Sequence, residues 1–152
     1  MRDLHGWKVK HCMSEIDDRI RQKVREWVSY ADDDLEFAYH GLKLQTGKTY
    51  KIVAFHAQQS TEKYLKAYLV YRKIDFPYTH NIAKILALCE ETAEWTKEIE
   101  DAKSLTPYAS TLRYPGVDMN ATKEEATHAV EIADHVREVV RNALIAEGLK
   151  LE

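Results

Sequence analysis

The side chains whose types and spacing could do chemistry are Asp34, Gln58, Glu62, His80, Arg113 and Tyr114. Gln58 and Glu62 stand one helical turn apart, on a stripe between a Leu65/Leu69 edge and Phe55. An amide or carboxylate buried there must find hydrogen-bond partners, or each costs about 1–3 kcal/mol. The pair fits either a structural polar network inside a helical bundle or the floor of a ligand pocket. Asp34 shares a column with Trp27 and Gly41 inside an apolar face, which makes it a second buried polar group expected to face the same core. Arg113-Tyr114-Pro115 forms a basic, aromatic turn. Arginine offers a fixed fork of donors for phosphate or carboxylate, and tyrosine can stack on a base or donate its hydroxyl. Arg113 can equally pair with Glu62 or Asp34 as a structural ion pair. His80 sits where a helix begins and is either a donor or a solvated ring.

Other chemistries are excluded by pattern. Five scattered glycines cannot build a phosphate-cradling loop, and there is no HExxH, CxxC or nucleophile elbow. Asp32-Asp33-Asp34 cannot converge on one ion, because neighbours on a helix point about 100° apart; Asp32 and Asp33 are expected in solvent. His128 and His135 are seven residues apart rather than the four that put two imidazoles on one metal, and both are expected on an outer face. The expected site therefore holds no metal and no cofactor.

These residues need elements to position them. Val24, Trp27, Val28, Ala31, Leu35, Ala38 and Leu42 recur at three and four, predicting a first helix from about Ser14 to Thr46, closed by Gly47. Gly41 on its inner side would let a neighbouring helix approach closely. A very short loop then leads into a second helix from about Lys48, making an antiparallel hairpin that ends before Asp75-Phe76-Pro77. Thr79 is the expected N-cap of a third helix carrying Ile82, Ile85, Leu86 and Cys89 inward. A fourth segment starts near Thr96 and is expected to kink at Thr106-Pro107. Thr122 and Glu125 form a capping box for the last long helix. The fold class is all-α, an antiparallel up-and-down bundle of four or five helices.

Composition agrees. At 152 residues, the chain fits a single domain over residues 14–152, with residues 1–13 a flexible tail and Met13 a candidate natural start. Hydrophobic residues make up 45% and charged ones 31%, too apolar for disorder. A net charge of −3 gives no global basic field for nucleic acid, although a local basic site stays open. Cys12 and Cys89 have no metal or redox spacing and are expected as reduced thiols. No apolar run approaches the roughly 20 residues that span a bilayer, and the N-terminus has no secretory pattern, so a cytoplasmic protein with no membrane partner is expected.

Trp27…Ala31…Asp34-Leu35…Ala38, then Phe55-His56-Ala57-Gln58-Gln59-Ser60-Thr61-Glu62-Lys63-Tyr64-Leu65-Lys66-Ala67, Thr79-His80 and Arg113-Tyr114-Pro115 together resemble a HEPN domain (higher eukaryotes and prokaryotes nucleotide-binding). The resemblance runs from about Trp27 to Leu144. It implies a helical bundle that forms a homodimer, with a minimal nucleotidyltransferase as partner, often in a toxin–antitoxin pair. Many relatives are metal-independent ribonucleases with an arginine followed four to six residues later by histidine. There, histidine moves the proton of the attacking 2′-hydroxyl and arginine stabilises the charged phosphorane.

None of the seven histidines here follows an arginine at that spacing; His128 lies fifteen residues beyond Arg113, and Arg72 and His80 have seven residues between them. The expectation is therefore a nucleotide- or substrate-binding subunit, with Arg113 and Tyr114 at a pocket floored by Gln58, Glu62 and Asp34, His80 beside it. The alternative is a divergent ribonuclease toxin acting on RNA with Arg113 and a histidine, His80 or another, brought across the dimer. A third possibility is an interaction module whose polar network only fixes helix register. Exposed-looking Tyr39, Tyr71 and Trp95 are compatible with a dimer.

Overall fold

A computed structural model of the chain describes residues 4–44, 46–110 and 120–151, with side chains from Asp17 onward. It is an all-α bundle: α1 (Leu4–Leu42), α2 (Tyr50–Tyr71), α3 (Ile82–Glu90), a 3-10 segment (Glu94–Ser110) and α4 (Lys123–Ala146). Helix α1 starts at Leu4, well before the Ser14 that its apolar period predicts. Once a helix is nucleated, each added residue gains a hydrogen bond without needing an apolar face, so periodicity marks only the part that packs.

The buried faces are those the spacing predicts. Val24, Val28, Ala31, Leu35 and Ala38 of α1 meet Val53, Ala54, Ala57, Leu65 and Leu69 of α2 and Ala126, Ala129, Ala133, Val136 and Val140 of α4 in one core. At Gly41 α1 and α2 approach closely: a Cβ there would lie 2.6 Å from Val53 Cγ2. Gly47 takes a left-handed φ of 69° in the connection between them. The Thr122 hydroxyl accepts from the Glu125 N–H at 3.1 Å, capping α4 as its sequence indicates.

The path after α2 is less regular than strict up-and-down winding. Lys66 Nζ donates to the Thr79 carbonyl and Gln58 Nε2 to the His80 carbonyl, so residues 72–81 climb back along α2. Helix α3 then descends beside α2 in the same direction: Cys89 Sγ reaches the Leu65 carbonyl, and the Tyr68 hydroxyl meets Thr92 at 3.0 Å. The 3-10 segment returns, bringing Thr106 to the start of α3. Its break is at Ile99 (φ −125°, ψ 29°), not at Thr106-Pro107. The Thr106 hydroxyl accepts from the Ile82 N–H instead of capping its own segment. The cap of α3 is Asn81, which accepts from the Lys84 N–H, while Thr79 accepts from Asn81 N–H one step earlier.

No described helix is long and apolar enough to cross a membrane.

Candidate functional site

Helix α2 passes through the middle of the bundle, and its polar residues are placed by what surrounds them. Gln58 and Glu62 are 0% and 4% exposed, as their stripe predicts. Their partners among the described residues are each other, Gln59, Lys66 and His80. Gln58 Nε2 donates to Glu62 Oε2 at 3.0 Å, and Lys66 Nζ lies 2.6 Å from Glu62 Oε1. His80 Nδ1 sits 3.0 Å from Glu62 Oε2, and Gln59 Nε2 donates to Gln58 Oε1 at 2.6 Å. Lys66, 5% exposed, also lies 5.9 Å and 5.6 Å from the ring centres of Trp27 and Phe76, whose faces attract a cation. Burial pushes the Glu62 carboxyl up, but hydrogen bonds from Lys66, His80 and Gln58 outweigh it and hold it below the usual carboxylate range.

Asp34 does not face this network, which corrects its expected place. It turns to the other flank of α2, with Oδ1 2.8 Å from His56 Nδ1 and Oδ2 paired to Lys63. The Phe37 ring covers His56 with centres 4.5 Å apart. The column that puts Asp34 on the inner side of α1 is real, but α2 meets α1 there with His56 and Lys63 rather than Gln58.

Asp32 is also corrected, since it is only partly exposed and its carboxylate is engaged by other helices. Its carboxylate accepts from the Tyr64 hydroxyl, from Arg137 Nε at 3.0 Å and from Arg141 Nη1 at 3.2 Å, joining α1, α2 and α4. Asp33, His128 and His135 are exposed as expected. Tyr39 is exposed, but Tyr71 and Trp95 are partly buried: the Tyr71 hydroxyl donates to the Glu147 carbonyl, and Trp95 stands edge-on to Tyr68 at 4.8 Å. Burial raises the Cys89 thiol to about 12, which leaves it unreactive. Arg113 and Tyr114 lie outside the described residues. No group of three metal-ligating side chains converges among the described residues.

The structure thus brings together Gln58, Glu62 and His80, and adds Lys66, Trp27 and Phe76, which sequence reasoning passed over. The Glu62–Lys66 spacing of four residues on one helix was the available signal. Chemically, the cluster holds an imidazole against a carboxylate and fixes two backbone carbonyls beside it.

No curated protein and no solved structure matches the chain. A family model, HEPN domain, matches residues 24–143, the span that holds α2, the polar cluster and most of α4. With that match over most of its length, the chain belongs to the HEPN domain family, a family of nucleotide-binding and ribonuclease-type domains.

Proposed function

We propose that the protein is a nucleotide-binding HEPN subunit that works in the cytoplasm as a homodimer beside a minimal nucleotidyltransferase, in a toxin–antitoxin-type system. Arg113 is assigned to the ligand's phosphate and Tyr114 to a second contact with the ligand, with Gln58, Glu62 and His80 as the polar residues of the same site. The observation that carries this reading is where the cluster's bonds go. Lys66 and Gln58 donate to the carbonyls of Thr79 and His80, and backbone held in this way supports the reading of a preorganised binding surface. The missing arginine–histidine spacing argues in the same direction.

Calorimetric titration with nucleoside mono- and triphosphates tests it. Wild-type protein should release heat that Arg113→Ala abolishes without lowering the melting temperature. No heat with any nucleotide, in either protein, overturns the reading.

A second reading has its own support. Glu62 behind His80 Nδ1 is how a general base is oriented, which favours a divergent ribonuclease using Arg113 and a histidine across the dimer. Growth arrest and RNA cleavage that disappear in both Arg113→Ala and His80→Ala would select this alternative.

A further inference from the structure

Residues 72–81 carry an aromatic side chain that lies outside the core. Tyr78 is 91% exposed, the most exposed of the large hydrophobic side chains among the described residues. Its ring stands 5.3 Å from that of His80 at 77°. A lone exposed aromatic needs no explanation. The anchoring on both sides of this one does.

Before it, Phe76 packs edge-on to Trp27 at 6.3 Å. After it, the Thr79 carbonyl accepts from Lys66 Nζ at 3.1 Å, the His80 carbonyl accepts from Gln58 Nε2 at 3.3 Å, and Asn81 N–H donates to the Thr79 hydroxyl at 3.2 Å. Lysine is almost never buried without a partner, and here a buried lysine and a buried amide both reach out of α2 to fix the same short stretch of backbone. That stretch is ordered before any ligand arrives, so the ring it presents binds with little further loss of entropy. Tyrosine suits this use, being a large rigid surface with few rotatable bonds.

From this juxtaposition we infer that Tyr78 is the stacking platform for the nucleotide's base, with Gln58 and Lys66 as its positioning residues. The inference rests on the nucleotide-binding reading above and adds the residue that recognises the base. A planar ring is favoured over a protein surface because the exposed neighbours of Tyr78 in the chain are Asp75 and Pro77, while Thr79 and His80 are partly buried.

Calorimetric titration with AMP, UMP and ribose 5-phosphate, which lacks a base, tests the assignment. Tyr78→Ala should weaken AMP and UMP binding about ten-fold or more while leaving ribose 5-phosphate binding and the melting temperature unchanged. Tyr78→Phe should stay within about two-fold of wild type, since the ring is kept. Lys66→Met should lower the ratio of AMP to ribose 5-phosphate affinity, which general loss of stability would not do. Equal AMP binding by Tyr78→Ala and wild type overturns the stacking role and leaves the nucleotide-binding reading standing. Wild-type protein that binds AMP no better than ribose 5-phosphate overturns it too. Absence of any AMP binding to wild type removes both.

Discussion

The ammonium of Lys66 lies 2.6 Å from Glu62 Oε1, one turn away on the same helix, with both side chains almost wholly out of water. A buried pair of this kind gains little over a well-packed apolar pair, but losing one partner leaves an uncompensated charge. Lys66→Met should therefore destabilise the fold by about 3–5 kcal/mol. Adding Glu62→Leu should restore most of the loss, because no buried charge is then left. Urea denaturation of the two variants checks this. A double variant as unstable as Lys66→Met would mean that the hydrogen bonds to His80 and Gln58 outweigh the ion pair.

The same carboxylate predicts acid sensitivity. Glu62 titrates lower in the folded protein than at its ordinary value of 4.5, which the unfolded chain approximates. Its stabilisation is thus complete above that value and is lost as pH falls toward and through the folded one. Wild-type stability should drop faster than that of Glu62→Gln as pH falls below the ordinary value of 4.5. Denaturant midpoints across that window decide it; parallel curves would remove Glu62 as a source of acid lability.

Asp32 is an acceptor shared by Tyr64, Arg137 and Arg141. Asp32→Asn removes the charge and one acceptor oxygen while keeping the shape. Solvent reaches this site, so the expected loss is modest, about 1–2 kcal/mol, and it should shrink in high salt. A full-sized loss that ignores salt would point to packing instead.

Gly41→Ala sets two effects against each other. Alanine favours helix by about 1 kcal/mol over glycine, but its Cβ would sit 2.6 Å from the Val53 methyl. Val53 is β-branched and stiff, and over-packing costs about 1–3 kcal/mol, so a net destabilisation is expected. In a Val53→Ala background the clash is gone, and Gly41→Ala should turn neutral or stabilising. Thermal melts of the four proteins give the answer.

How much of this was legible in sequence depends on the range of the interaction. The core stripes of α1, α2 and α4, the close approach at Gly41 and the Thr122 cap follow from local geometry, and the structure agrees with them. So does the burial of Gln58 and Glu62, which one helical wheel fixes. Their partner from outside α2, His80, does not follow, because it depends on how far residues 72–81 climb along that helix. Lys66 is not legible as a site residue because a long charged side chain on a helix ordinarily reaches water; here Glu62, the rings of Trp27 and Phe76 and the Thr79 carbonyl surround it. Asp32 was misplaced for the same reason, since its arginine partners arrive from a helix distant in the chain. The kink lies at Ile99 rather than Pro107, and Thr106 is engaged by the start of α3.

The Asp32–Arg137 contact spans 105 residues of sequence, whereas α1 and α2 are joined by a short connection. That contrast sets an order of assembly. The α1–α2 hairpin closes a small loop and can form early, while α4 docks only after the intervening chain has been ordered at greater entropic cost. A bond across that last junction belongs to the finished fold and not to its nucleus. Weakening it at Asp32 should therefore leave the folding rate almost unchanged and show up as faster unfolding, which makes the clamp between α1 and α4 a determinant of how long the native state lasts.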